Sequence, residues 1–426
     1  MTGSHEVRGS IPLGSTISRL TNVSLRLLRI LALHRSKKII KIAIVIGLLL
    51  VVPILCVEML MIVLDPYLFK DRFEYDPDLG FRARAYFLSK PGTMGEGDDG
   101  TLSNRFGFND RDYPLTKEPG TFRILVVGDS YGWGGGLKAN YTALLENYFE
   151  ARDGFHKIDV VNTGYPGTHT GEQLVMLKKY GLQYNPDLVI LGFFAGNDFT
   201  EADPNRKRIV VNGCQLDIDK RHEYRLFGYP IITQSRLLLF LTQKYGIYSI
   251  SKQARKEARE WADANRRPVP TKNLPQAVFY RVEKANLDFF NKQTSAERFA
   301  VNINYIFHSI AAMNDLLKSR NIKFMVAIYP DAMQVNPKLF DTLISRFGLN
   351  RENYDLNLAQ DTLRTFLASN QIPYVDLTDR FRAEEQQREL YLFDDPHWNR
   401  AGNELAAEML FQYLNQQPDG RNLMAH

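Results

Sequence analysis

From Ile42 to Leu64 the chain reads IAIVIGLLLVVPILCVEMLMIVL, apolar throughout except at Glu58. At roughly 1.5 Å per residue, a helix over this run crosses a hydrocarbon layer of about 30 Å. We expect a transmembrane helix at 42–64, dividing a basic tail (1–41) from a much larger remainder. Arg19, Arg26, Arg29, Arg35, Lys37, Lys38 and Lys41 precede the run, whereas DPYLFKDRFEYD after it mixes both signs. By the positive-inside rule the N-terminus is expected in the cytoplasm and everything after Asp65 outside, anchored in the cytoplasmic (inner) membrane by a single pass. The run is longer than a signal-peptide core and no small-x-small cleavage site follows it, so cleavage is not expected. Pro53 is expected to kink the helix. The charge of Glu58 is costly in lipid and should reach the interface or a polytopic membrane partner. Near the start, EVRGSIPLGST back-translates into a string like the 3′ end of a transfer-RNA gene, so translation is expected to begin downstream of Met1; N-terminal peptide mapping tests this.

The remainder can build a full core, since 44% of the 426 residues are hydrophobic and 24% charged. A formal net charge of +5 without any recognition motif gives no reason to expect a nucleic-acid partner. The two cysteines, Cys56 and Cys214, cannot frame a disulfide network or a zinc site. No metal or cofactor is expected: GWGGGLKAN lacks the Gly-Lys-Ser/Thr ending of a phosphate loop, and no dinucleotide fingerprint appears.

Apolar strand-like runs alternate with helical patterns. Strands are expected at Arg123–Val127, IDVVNTG, DLVILGFF, IKFMVAIYP and IPYVDL, with helices near Tyr141–Ala151, Thr170–Tyr180, NYIFHSIAAMNDLLKSR, NLAQDTLRTFLASN and Ala401–Asn415. This rhythm predicts an α/β fold, a three-layer α/β/α sandwich on about five parallel strands. The domain is expected to span 122–417, preceded by a β-rich lead-in (65–121), interrupted by an insertion (199–299) and followed by a tail (418–426). Within the insertion, KQARKEAREWADANRR reads as a solvated helix and PVPTKNLP as a linker. The insertion is expected beside the active edge, shaping an acceptor site.

In a parallel sheet, ligands gather at the carboxyl ends of the strands. The loops expected there carry Ser130 in GDSYG, Gly164 in VVNTGYPGT, Asn197 in FFAGNDF, and Asp394 with His397 in FDDPHWNRAG. A serine hydroxyl becomes a nucleophile when a histidine takes its proton and an acid fixes that histidine's tautomer. Ser130, His397 and Asp394 can fill those roles, with Asp395 competing for the acid's place. Backbone N–H groups of Ser130 and Gly164 and the side-chain amide of Asn197 can form an oxyanion hole. Asp129 reads as a brace for the turn, His169 as a helix cap or substrate contact, and Trp133 and Trp398 as either sugar-stacking or packing residues. GDSYG also fits the Gly-x-Ser-x-Gly elbow of α/β-hydrolases, but there the serine follows several core strands and the acid lies farther from the histidine.

These pieces, in this order, resemble the SGNH (GDSL-type) hydrolase superfamily over about 122–417. The first block appears as GDSY with Ser130, the second as Gly164, the third as GND with Asn197 and the fifth as DDPH, where the family's Asp-x-x-His spacing selects Asp394. The third block departs from Gly-x-Asn-Asp, with Ala195 in its first position and glycine at Gly196. The resemblance implies a flavodoxin-like sandwich and acyl chemistry on esters. With the N-terminal anchor and NRFGFNDRDYP, it is similar to bacterial members that modify surface polysaccharide. The expected function is a serine esterase or O-acyltransferase acting on ester groups, commonly acetyl, of extracytoplasmic carbohydrate. The alternatives are an inactive binding or assembly module for surface polysaccharide, or a lipid esterase.

Overall fold

The computed structural model describes residues 14–68, 72–88, 100, 102–151, 157–217, 227, 229 and 231–415. The start-site string, most of GTMGEGDDG and the 418–426 tail lie wholly or largely outside these residues, as does the first part of the basic tail. The chain divides into two compact units, one holding the helix Gly14–Leu68 with Ser235–Leu237, the other holding the rest of the described residues.

In the first unit the helix runs for 55 residues and continues through Pro53. Its stretch Lys37–Asp65 contains an 18-residue window of mean hydropathy 3.0 with no residue buried in protein, so it is long and apolar enough to cross a membrane, as an anchor or a signal segment would. Glu58 meets Ser235–Leu237 of the same chain. Its carboxylate accepts from Ser235 Oγ at 2.6 Å and from the backbone N–H groups of Arg236 and Leu237, the latter at 3.1 Å. Asp65 pairs with the Arg236 guanidinium at 2.7 Å. The apolar run's one acidic group is therefore satisfied by the start of the short helix Arg236–Leu239.

The second unit is built on a five-stranded parallel sheet: β1 Phe122–Val127, β2 Ile158–Asn162, β3 Leu188–Phe194, β4 Lys323–Tyr329 and β5 Tyr374–Asp376, in the order β2-β1-β3-β4-β5. The central strands are apolar on both faces because helices cover both. Leu125, Val127, Val189, Leu191 and Phe193 pack on one side with Ile306, Ile310, Met313 and Leu317 of helix Ala300–Lys318. Ile124, Val126, Leu188, Ile190 and Phe194 pack on the other with Tyr141, Leu145 and Phe149 of helix Tyr141–Glu150 and Leu405, Leu410 and Leu414 of helix Arg400–Asn415. The α/β/α sandwich expected from the alternating pattern is thus the observed architecture.

The lead-in is less regular than its alternation suggests. Its strands are Phe73–Glu74 and Arg82–Ala83, each two residues long, and side chains organise the rest. Asn104 Oδ1 accepts from the N–H groups of Phe106 and Phe108, both at 3.0 Å, fixing a turn that a strand ladder would otherwise have to replace. The charged helix of the insertion, Tyr245–Asn265, is not simply solvated either. Ala254, Ala258 and Ala262, spaced one turn apart, are buried along one face.

Candidate active site

Each core strand delivers one loop to the same edge. After β1, the buried backbone turns at Gly128 and Asp129 into a short 3₁₀ turn, Ser130–Gly132, and the Asp129 side chain caps it by accepting from Tyr131 N at 3.1 Å. The turn is pressed against the loop after β2. A Cβ on Gly164 would lie 2.6 Å from Gly132 Cα, so these two positions require glycine for close approach.

Across the edge, the Tyr131 hydroxyl donates to Pro396 O at 2.7 Å and its ring lies 4.6 Å, centroid to centroid, from Trp398. This ties the serine loop to the loop carrying His397. The result is a relay: His397 Nε2 stands 2.8 Å from Ser130 Oγ, and His397 Nδ1 stands 2.6 Å from Asp395 Oδ1. The same Oδ1 accepts from His397 N at 3.0 Å, and Asp395 Oδ2 accepts from Asn273 Nδ2 at 2.8 Å. With the Nδ1 proton directed at the carboxylate, Nε2 is left to accept from the serine.

The histidine's acid therefore corrects the sequence reading. Asp394 is turned away and pairs with Lys272, while its neighbour Asp395 holds the imidazole. Successive side chains point in different directions here, and Asp394 sits at a φ of +51°. The spacing Asp-x-x-His selected the wrong member of an adjacent pair.

Electrostatics favour the relay. Burial pushes the Asp395 carboxyl up, but the His397 charge and the hydrogen bonds from His397 and Asn273 outweigh it, leaving it below the ordinary carboxylate range. Burial works against a charged His397, yet the Asp395 charge and hydrogen bond, with Asp129 and Asp331 behind them, raise its pKa above the usual value. Asp129, fully buried, is pushed up to about 6 by desolvation, and burial together with Asp129 raises Asp198 well above the ordinary carboxylate range.

The oxyanion candidates divide. Asn197 follows β3 at the head of the turn Asp198–Glu201, and its side chain does not cap that turn. Ser130 begins its 3₁₀ turn beside it in the sheet order. Gly164 differs from expectation: its N–H donates to Asn162 Oδ1 at 2.9 Å and is already committed. Its observed part is the close approach to Gly132. The departure in the third block also has a cause, since a Cβ at Gly196 would fall 2.2 Å from Asp331 Oδ2 and 2.4 Å from the Phe194 ring.

His169 caps helix Thr170–Lys179, its Nδ1 accepting from Glu172 N at 3.4 Å, and burial with nearby Arg208 lowers its pKa to about 3. Trp133 and Trp398 are both buried and pack among aromatic neighbours, so neither offers a free stacking face. Sequence reasoning missed the support behind the serine loop. Asn109 Nδ2 donates to Trp133 O at 2.6 Å, Asp110 Oδ2 accepts from Asn162 N at 2.7 Å, and Asn162 Nδ2 donates to Gly132 O. The signal was present in NRFGFNDRDYP, whose polar residues outnumber what a simple lead-in requires. Lys272 and Asn273 carried no such signal.

Residues 289–426 match the family model described as the SGNH hydrolase-like domain of acetyltransferase AlgX. No curated protein sequence matches the chain. Among solved structures, the acetyl xylan esterase AlAXEase is 14% identical, with 69% of this chain and 100% of that one covered at a TM-score of 0.36. A catalytic mutant of the acetylxylan esterase Axe2 from Geobacillus stearothermophilus is 10% identical, covering 68% of this chain and 93% of that one at a TM-score of 0.35. The lipase/acylhydrolase from Enterococcus faecalis is 14% identical, covering 70% and 96% at a TM-score of 0.32.

Proposed function

The chain carries an SGNH hydrolase-like domain, and from that premise we propose that it is a membrane-anchored serine esterase or O-acyltransferase acting on acetyl or related esters of extracytoplasmic carbohydrate. The observation that carries the reading is the continuous relay from Ser130 Oγ through His397 to Asp395. The AlgX-type match supports acetyl as the group transferred, and the apolar helix with its basic approach supports an external catalytic domain.

In the first half-reaction His397 Nε2 takes the Ser130 proton as Oγ attacks the ester carbonyl. Negative charge develops on the carbonyl oxygen, where the Asn197 amide and the Ser130 N–H are the candidate donors. Collapse breaks the bond to the alcohol oxygen, which leaves with the proton from His397, and Ser130 retains the acyl group. In the second half-reaction His397 deprotonates water or a sugar hydroxyl, which attacks the acyl carbon; the bond from that carbon to Ser130 Oγ breaks and His397 returns the proton to Oγ. Asp395 holds the imidazole and balances its charge in both halves. The insertion, which follows Asn197 directly, is proposed to shape the acceptor's approach.

The test offers an acetyl ester with and without an oligosaccharide acceptor to the full chain in detergent and identifies products by mass. Acetylated oligosaccharide marks a transferase, free acetate alone an esterase. Loss of both in Ser130→Ala supports the reading, whereas a folded chain inactive on every ester and acceptor favours a binding module.

A further inference from the structure

The relay does not end at Asp395. Its second oxygen is held by Asn273, a residue of the insertion lying 122 positions earlier in the chain. The segment around Asn273 read as a linker, yet the adjacent Lys272 side chain is only 2% exposed. Lys272 Nζ lies 3.1 Å from Glu257 Oε2, pairs with the Asp394 carboxylate and stands 4.8 Å from the centre of the Phe393 ring. Trp261, on the helix Tyr245–Asn265, packs on the same ring at 5.0 Å. Insertion residues thus grip three consecutive residues, Phe393, Asp394 and Asp395.

We propose that this part of the insertion is a positioning device for the acid of the relay, with Lys272 drawing Asp394 aside and Asn273 fixing the carboxylate plane of Asp395. The inference rests on the proposed serine chemistry and adds to it a residue that touches neither substrate nor nucleophile. Two aspartates stand next to each other, and either has a carboxylate to offer His397. Lys272 decides between them by giving Asp394 a buried cation of its own, which holds that residue in the left-handed backbone region where a side chain is strained. A carboxylate bound to the imidazole through one oxygen can still rotate about its Cβ–Cγ bond. A donor on the other oxygen stops that rotation and so sets the imidazole's direction.

The charged and titratable groups around His397 are Asp395, Asp129 and Asp331, with Ser130 at Nε2 and the Tyr131 ring alongside. Glu283 acts on Asp331, and Lys272 lies between Asp394 and Glu257 beyond Asp395. Asn273→Ala changes none of these charges. Its effect on His397 therefore reports orientation.

The experiment measures the His397 pKa in the full chain by hydrogen exchange at the imidazole C2 position, read by mass spectrometry, with exposed His308 as the internal reference. Steady-state rates on an acetyl ester are measured alongside. In Asn273→Ala the pKa of His397 should fall back toward its ordinary value of about 6.5. The kcat should drop roughly tenfold with KM within about twofold, as for other outer-shell partners of a catalytic group. Asn273→Gln, which keeps an amide donor, should recover part of both. An unmoved His397 titration with an unchanged kcat overturns the proposal. So does a rise in that pKa, because it would mean that Asn273 only disperses the carboxylate's charge. The wild-type chain is also treated with a fluorophosphonate. Failure to label Ser130 sinks the serine chemistry, while the His397 titration, which needs no turnover, still decides the positioning.

Discussion

The two ends of β1 bury charge in opposite ways. At its start, Arg123 is inside the protein with every direction answered. Nε and Nη2 bond Asp159 Oδ2 at 3.1 and 2.7 Å, and Nη1 donates to Pro114 O at 2.9 Å and Tyr184 O at 2.6 Å. At its end, only a strand's length away, Asp129, Asp198, Asp331 and Asp395 are buried in one neighbourhood with His397. Asp129 Oδ2 is buried without a hydrogen-bond partner among the described residues. Charge at the first end is neutralised and fixed, which is what cohesion needs. At the second end burial pushes Asp129, Asp198 and Asp331 toward their protonated forms, and Asp395, held below the ordinary carboxylate range, is the group that most strongly favours a proton on His397. One strand thus serves as brace at one terminus and as part of the candidate site at the other.

The largest effects are expected at Ser130 and His397. Ser130→Ala and His397→Ala should each lower kcat by at least about 10⁴-fold, with the double variant little worse because the two act as a unit; ester turnover by the purified chain measures it. Asp395→Asn should cost about 10⁴-fold by leaving His397 in the wrong tautomer. Asp394→Asn, away from the imidazole, should act mainly on stability through Lys272. A larger kinetic loss at Asp394 would reverse the assignment of the two aspartates.

The opposite terminus should respond the other way. Arg123→Met leaves Asp159 buried and unpaired and should remove about 3–5 kcal/mol of stability, seen in denaturant unfolding, without altering kcat per folded molecule. Asn197→Ala should lower kcat by about 10²–10³-fold if its amide meets the oxyanion, with little change in unfolding.

The smallest effect is in pH. His397 must be neutral to accept the serine proton, so activity should fall as pH drops through its folded pKa. Because Asp395 raises that pKa, the acidic limb of kcat/KM should lie above about 6.5. The sign for stability is opposite. Protonated His397 stabilises the fold fully below its unfolded pKa, and that contribution is lost as pH rises through the folded one. A limb at or below about 6.5 would mean that the acidic surroundings do not act on the histidine.

How much of this was legible follows the same division. The strands were readable because both faces of the sheet are covered, which turns each strand into an uninterrupted apolar run such as ILVV or LVILGFF. Ser130 was readable because it stands where such a run stops, and His397 because it stands just before the last helix, Arg400–Asn415, beside two aspartates. The acid was not, since Asp394 and Asp395 are equivalent as letters and are separated only by Lys272 and Asn273, brought from far away by folding. Gly164 was read as an oxyanion donor because nothing in VVNTGYPGT announces that Asn162 folds back onto its N–H. The insertion's charged helix reads as solvated because Ala254, Ala258 and Ala262 make a narrow stripe that the charges around them hide.

The central claim, that the edge after β1 forms an acyl-Ser130 intermediate, is tested most directly by mixing the full chain with an activated acetyl ester, quenching in acid and mapping peptides by mass. An acetyl group is expected on the peptide containing Ser130, absent in Ser130→Ala and in His397→Ala. Turnover of the ester at the wild-type rate by Ser130→Ala, or an acetyl group carried on another residue, would contradict it.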